Sequence, residues 1–193
     1  MSSPPDNQGA LVAVVTGSSS GIGLATSLAL ARNGYLTYAT MRNLAKRDSF
    51  ESNADKQQLP VRVVRLDVTD ENSIKSAIES ILSEAGRIDL LVNNAGYVLT
   101  GAFEDIGINE IKALYETNVF GVIRVTQAVL PIMRKQGSGR IINISSGAGR
   151  FGYPGGSAYV SSKFALEGLS ESMAYEIEQF GIRTVLVEPG FVR

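Results

Sequence analysis

A chain of 193 residues with 44% apolar and 19% charged side chains is long enough for one domain with a sizeable core and short for two. Its 18 basic side chains nearly cancel its 19 acidic ones, so no strong overall field is expected; nucleic acid and anionic membrane surfaces are not indicated as partners, although a small anion could be held locally. With no Cys and no His, the chain lacks disulfides, thiolate nucleophiles, imidazole bases and the usual zinc ligands, and acid or base work falls to Tyr, Lys, Asp, Glu or Ser.

Residues 1–10, MSSPPDNQGA, read as a flexible start with neither the basic onset nor the apolar centre of a signal peptide. No run approaches the roughly eighteen apolar residues of a membrane span, so a soluble, cytoplasmic protein without a membrane anchor is expected. Leu11 to Thr16 is a β-branched run suited to a buried parallel strand, and it leads directly into Gly17-Ser18-Ser19-Ser20-Gly21-Ile22-Gly23 and the helical pattern of Leu24 to Arg32. Tyr35 to Met41 predicts a second strand, the polar stretch from Asn43 to Gln58 a helix, and Val61 to Leu66 a third strand. Asp67, Thr69 and Asp70 end that strand and offer caps to a helix over Glu71 to Ala85, which Gly86 stops.

Ile88 to Val92 predicts a fourth strand opening into Asn93-Asn94-Ala95-Gly96. A looser region precedes a long helix from about Asn109 to Gln136, in which Pro131 should end or bend the pattern. Ile141 to Ile144 is strand five, Ser157 to Phe180 a helix, and Ile182 to Val187 strand six, ending at Pro189 and Gly190. This alternation calls for a single α/β domain over 11–193, a doubly wound parallel sheet with helices on both faces in three layers. Ligands of such sheets bind beyond the carboxyl ends of the strands, where the glycine turn, Asp67, the Asn-Asn-Ala-Gly segment and the stretch from Ser145 to Lys163 all fall.

The glycine turn lets the backbone approach a pyrophosphate at a helix start, although its G-x-x-x-G-x-G spacing differs by one residue from the usual dinucleotide pattern. A carboxylate at the end of strand two would bind ribose hydroxyls and repel a 2'-phosphate, but Ala39, Thr40 and Met41 offer none. Arg42 follows immediately, and its rigid fork of donors suits a phosphate monoester. NADP(H) is therefore preferred, with NAD(H) as the other choice.

Tyr159 and Lys163 lie four residues apart on one helical face, where an ammonium can favour a phenolate. A phenol near pKa ~10 needs about 4 kcal/mol of preferential stabilisation of its anion to fall by ~3 units. Ser146, thirteen residues before Tyr159 across a glycine-rich loop, could bring a second hydroxyl to a substrate oxygen. Without the glycine turn, Tyr159 reads rather as an amphipathic helix residue packed over the sheet and Lys163 as a solvated side chain.

Together, Thr16 to Gly23, Asn93 to Gly96, Ser146, Tyr159-Val160-Ser161-Ser162-Lys163 and Pro189-Gly190 resemble, in order and spacing, the motifs of the short-chain dehydrogenase/reductase family, from Leu11 to the last residue. The resemblance implies a Rossmann-type fold and an NADP(H)-dependent oxidoreductase interconverting a carbonyl and an alcohol. By the same resemblance Tyr159 is the acid/base, Lys163 lowers its pKa and holds the nicotinamide ribose, and Ser146 orients the substrate. Asn118, which by itself reads as a polar break in the long helix, corresponds to a fourth catalytic residue that holds a water.

The implied cofactor set is Gly17, Ser19, Ser20, Gly21 and Ile22 in the phosphate turn, Arg42 at the 2'-phosphate, and Asp67 and Val68 at the adenine. Asn94, Ala95 and Gly96 flank the adenosine ribose, and Tyr159, Lys163, Pro189 and Gly190 complete the set. Ser20 lacks the basic side chain many NADP-preferring relatives carry in this turn. Tyr38 to Arg42 and Ser162 to Gly168 look similar to 17β-hydroxysteroid and retinol dehydrogenase-like members, which suggests an apolar alcohol or ketone near Tyr97, Val98, Leu99, Phe151 and Tyr153.

Relatives of this type continue well past the Pro-Gly pair, so the chain is expected to be truncated before the substrate-closing helices and a seventh strand. Two other readings follow: a nucleotide-binding regulatory or scaffold protein without turnover, and an inactive truncated fragment. The long helix and the helix from Ser157 form the pair through which relatives dimerise, so a homodimer or homotetramer is expected.

Overall fold

The computed structural model describes residues 9–190; residues 1–8, which hold most of the stretch expected to be flexible, and 191–193 lie outside the described residues. Six strands form one parallel sheet: β1 (Val12–Val15), β2 (Leu36–Met41), β3 (Val61–Arg65), β4 (Leu90–Asn93), β5 (Gly139–Ile144) and β6 (Ile182–Val187). Their order is β3-β2-β1-β4-β5-β6, the doubly wound Rossmann arrangement expected from the sequence. The winding reverses between β1 and β4, where Val14 lies opposite Tyr38 on one side and Leu91 on the other.

The helices α1 (Gly21–Arg32), α2 (Arg47–Lys56), α3 (Glu71–Ala85), α4 (Ile108–Tyr115), α5 (Gly121–Gln136) and α6 (Ser157–Ile177) cover the sheet. Alternation within the strands decides which side each covers. Val12, Val14, Tyr38 and Leu91 pack with Ile74, Ile78 and Ile81 of α3, Val125, Val129 and Met133 of α5, and Ile177 of α6. On the other face, Ala39 and Met41 meet Leu28 of α1 and Phe50 and Ala54 of α2. β1 is buried on both faces, and this two-sided burial explains why its sequence is continuously apolar rather than alternating.

Several element ends follow local chemistry. The Asp70 carboxylate accepts from the backbone N–H groups of Asn72 and Ser73 at the start of α3, and Gly86, left-handed at φ 71°, ends it. The long helix differs from expectation. It is interrupted not at Pro131 but at residues 116–120, where Glu116–Phe120 forms a π turn between α4 and α5. α5 runs through Pro131 because that residue and Gln127, whose carbonyl loses its partner there, both face solvent. The helix predicted over 43–58 begins as a short 3₁₀ turn, Leu44–Lys46, capped by the Asn43 side chain, before α2.

Candidate active site

The turn between β1 and α1 is built for close backbone approach. Gly17 has φ 69°, and a Cβ placed there would lie 2.8 Å from the Ala95 Cα. A Cβ on Gly23 would collide with the Gly17 carbonyl and the Asn94 side chain. Asn94 clamps the turn by donating from Nδ2 to the carbonyls of Thr16 at 2.8 Å and Gly17 at 3.2 Å. Thr16 Oγ1 reciprocates, accepting from the backbone N–H groups of Asn94 and Ala95 at 2.9 and 3.0 Å. The two segments that straddle the reversal point are thus one unit. Gly23→Ala is expected to weaken nicotinamide nucleotide binding by about a hundredfold, since backbone must move; a fluorescence titration with unchanged affinity would count against this role.

A cleft of about 1200 Å³ runs along the carboxyl ends of the strands. Its walls include Gly17, Ser19, Ser20, Gly21, Ile22, Arg42, Asp67, Val68, Asn94, Ala95, Gly96, Ser146, Tyr159, Lys163, Pro189 and Gly190, so residues drawn from seven separate stretches of sequence meet in one cavity. Arg42 is exposed at the end of β2 beside Asn43, and Asp67 holds the turn after β3 by accepting from the Thr69 N–H and hydroxyl at 3.0 and 2.8 Å. Lys46 and Thr117 also line the cleft and were not singled out in the sequence. For Lys46 a signal existed, a second cation four residues beyond Arg42, but only the 3₁₀ turn brings it to the cavity.

At the other end of the cleft stand Ser146, Tyr159 and Lys163. Ser146 follows β5 and caps a short turn, its Oγ accepting from the Ala148 N–H at 3.2 Å. Tyr159 occupies the first turn of α6, and Lys163 sits one turn later with Nζ 5.7 Å from the Tyr159 ring centroid. The Lys163 ammonium is buried and donates to the Ile144 carbonyl at 2.7 Å, anchoring α6 to the end of β5. Burial pushes its pKa down to about 8, with the Glu167 carboxylate acting in the opposite direction.

The Tyr159 phenol departs from the expected direction. Burial pushes its pKa above the ordinary value; a hydrogen bond with Ser146 opposes this, and nearby Tyr153 adds to the rise. The hydrogen bond that Lys163 makes runs to the Ile144 carbonyl, not to the phenol. The arrangement therefore holds Tyr159 protonated, the form that can give a proton to a carbonyl oxygen.

Asn118 lies in the π turn, buried behind the cleft rather than in its wall. Its Oδ1 accepts from the Tyr97 N–H at 3.1 Å and its Nδ2 donates to the Tyr97 carbonyl at 2.9 Å, locking the loop after β4 from both sides. Nδ2 also reaches Ser162 Oγ at 3.3 Å, joining this lock to α6. The side-chain amide is thus committed to protein groups, and the π turn is the backbone device that turns it toward the loop.

Of the residues expected at an apolar substrate, Tyr97 and Val98 line the cleft. Phe151 and Tyr153 lie on the loop after Ser146 and are exposed, whereas Leu99 is half-buried. Phe103, 77% exposed, adds an aromatic on the β4–α4 loop that the sequence had not singled out. This loop is tied to the Ser146 loop by the Gly101 N–H donating to the Gly155 carbonyl at 3.0 Å.

Comparison with known proteins agrees with this geometry. The family described as short chain dehydrogenase matches residues 11–193. The chain is 47% identical over 181 residues to the uncharacterized oxidoreductase YusZ of Bacillus subtilis, covering 93% of this chain and 64% of that protein. It is 42% identical over 179 residues to 3-ketodihydrosphingosine reductase of Bacteroides thetaiotaomicron, covering 93% and 63%. With human 17-beta-hydroxysteroid dehydrogenase type 1 it shares 38% identity over 185 residues, covering 93% and 56%. The chain thus spans less than two thirds of the length of these relatives. A metagenomic short-chain oxidoreductase solved in complex with NADP superposes with a TM-score of 0.88 at 35% identity, covering 95% of this chain and 83% of that one. The family match over residues 11–193, these identities and the shared fold show that the chain belongs to the short-chain dehydrogenase/reductase family.

Proposed function

We propose that this chain carries the cofactor site and reacting face of an NADP(H)-dependent oxidoreductase that interconverts a carbonyl and an alcohol on an apolar substrate. The observation that carries the reading is that one cleft is lined both by the glycine turn after β1 and by Ser146, Tyr159 and Lys163 after β5. The cleft's volume and lining suit a dinucleotide: Gly17 to Ile22 for the pyrophosphate, Asp67 and Val68 for the adenine, and Lys163 for the nicotinamide ribose. When bound, the nicotinamide supplies or accepts the hydride.

The protein's own residues handle the proton. Ser146 orients the substrate oxygen, and Tyr159, held protonated by burial, donates to it in reduction; oxidation reverses the transfer. Tyr97 and Val98 in the wall, with the exposed Phe151 and Tyr153 on the loop that follows Ser146 and Phe103 on the loop that holds Tyr97, favour an apolar substrate body. The names of the relatives, a ketosphingoid reductase and a hydroxysteroid dehydrogenase, point the same way. Phe164 and Tyr175 on the outer face of α6, 47% and 83% exposed, fit a second copy of the chain, so a homodimer or larger oligomer is expected in sedimentation.

The test is nicotinamide absorbance during turnover by the full chain with apolar ketones and aldehydes. Arg42→Ala is expected to raise KM for NADPH about ten- to hundredfold while changing that for NADH little, because a charged hydrogen bond to the 2'-phosphate contributes about 1.5–3 kcal/mol. An unchanged NADPH KM would remove Arg42 from its role. A full chain that reduces no member of the panel with either nucleotide would overturn the reading itself.

A further inference from the structure

α6 carries a second buried ionisable residue that the proton-transfer scheme above does not use. Glu167 lies one helical turn beyond Lys163, and the two side chains are 4% and 7% exposed. Neither Glu167 carboxylate oxygen accepts a hydrogen bond, and neither does the nearby buried Ser145 Oγ donate one. The backbone after Ser146 leans directly on this pair: a Cβ at Gly149 would lie 2.9 Å from Glu167 Oε1, Glu167 Cγ and Ser145 Oγ. Only a residue without a side chain lets the loop that carries Ser146 pass so close to the carboxylate.

A buried carboxylate without hydrogen bonds is costly unless cations face it. On its outer side stands Arg150, whose Nη2 is 3.3 Å from Glu167 Oε2 and 2.8 Å from Glu188 Oε1, with Nη1 3.6 Å from Glu171. One turn back on α6 is Lys163, whose ammonium donates to the neutral Ile144 carbonyl. Arg150 therefore joins three elements that frame the reacting face: its own loop beyond Ser146, α6 through Glu167 and Glu171, and the end of β6 through Glu188. Glu188 precedes Pro189, whose carbonyl accepts from the Gly147 N–H at 3.1 Å.

We propose that Glu167 is a positioning residue of the reaction, a buried carboxylate held by Arg150 that keeps the Lys163 ammonium charged at the reacting face. This rests on the reading of Lys163 as part of that face. The charged or titratable groups around Lys163 are Tyr159 and Glu167 on its own helix, with Arg150, Glu171 and Glu188 beyond Glu167. Ile144 on β5 contributes a neutral carbonyl, and Asn118 on the π turn has no titratable group. Of these, Glu167 is the group that opposes the effect of burial on Lys163.

The test is an NMR titration of the Lys163 Nζ in the full chain, assigned by its loss in Lys163→Met. Glu167→Gln and Glu167→Met are both expected to lower the Lys163 midpoint by about one pH unit, the size of effect a nearby opposite charge exerts. The methionine is the safeguard should the amide disturb folding, since it leaves no orphaned oxygen. Glu167→Asp should restore most of the midpoint, and Glu171→Gln, which removes an exposed charge, should leave it in place. In turnover, a shift of that size lowers kcat about fivefold at pH 8 and hardly at all at pH 6, a pattern that loss of packing alone would not produce. A midpoint unmoved in the folded Glu167 variants, or moved as far by Glu171→Gln, would overturn the proposal. Absence of turnover in the wild-type chain would instead overturn the oxidoreductase reading, and the midpoints would still decide the role of Glu167.

Discussion

Tyr159→Phe is expected to leave the chain folded and able to bind NADPH while lowering kcat by about a thousandfold. The substitution removes one hydroxyl from the wall of the cleft and no element of the fold, because the ring keeps its place against Lys163. General acid catalysis by a positioned side chain accounts for about 10²–10⁴ in rate, and no His or Cys is present to replace it. Nucleotide titration beside steady-state kinetics separates the two outcomes. Loss of binding together with turnover would make Tyr159 a cofactor contact, and retention of most of the activity would remove it from the proton transfer.

Lys163→Met is expected to raise stability at neutral pH and to lower turnover at least a hundredfold. Burial depresses the ammonium from 10.5 to about 8, which places a penalty of about 3 kcal/mol on the charged form in the folded state. The variant leaves the Ile144 carbonyl without its donor, at a cost of about 1 kcal/mol, so a net gain of about 2 kcal/mol is expected at pH 7. The sign follows from proton uptake. Between pH 8 and 10.5 the unfolded chain holds this proton and the folded chain does not, so wild-type stability rises with pH across that window. The advantage of the variant should accordingly shrink there. Urea unfolding at pH 7 and pH 10 measures this, and a variant less stable than wild type at pH 7 would show that the buried ammonium is stabilised by its surroundings.

If both results hold, the reacting face is a place where the fold keeps a destabilising charge for chemistry. Gly149 and Arg150 belong to the same arrangement. The loop passes close to Glu167 because residue 149 has no side chain, and the guanidinium next to it offsets the carboxylate and ties that loop to the end of β6. Stability and activity are then set by overlapping residues, with Lys163 and Glu167 one turn apart on α6.

Much of the architecture was legible in the order of residues. Strand and helix periods, the Asp70 cap and the Gly86 stop act over a few residues, so a continuous apolar run such as Val12 to Val15 already determines a strand buried on both faces. The long helix shows where local reading stops. Pro131 is a strong local signal, yet at a solvent-facing position its missing hydrogen bond is replaced by water and the helix continues. The interruption came instead at residues 116–120, where the demand was tertiary: the Asn118 side chain had to reach Tyr97 on another loop and Ser162 on α6.

By itself, then, the sequence determined the fold class, the glycine turn and the spacing of Tyr159 to Lys163, since each depends on neighbours within a turn or a strand. Only the tertiary structure decided that Lys46 joins Arg42 at the cleft, that burial rather than the lysine governs the Tyr159 phenol, and that Glu167 and Arg150 stand behind Lys163. The reason is physical. Burial, charge pairing and the direction of a donor are properties of distance in space, and residues far apart in the chain acquire them only when the sheet brings its strand ends together.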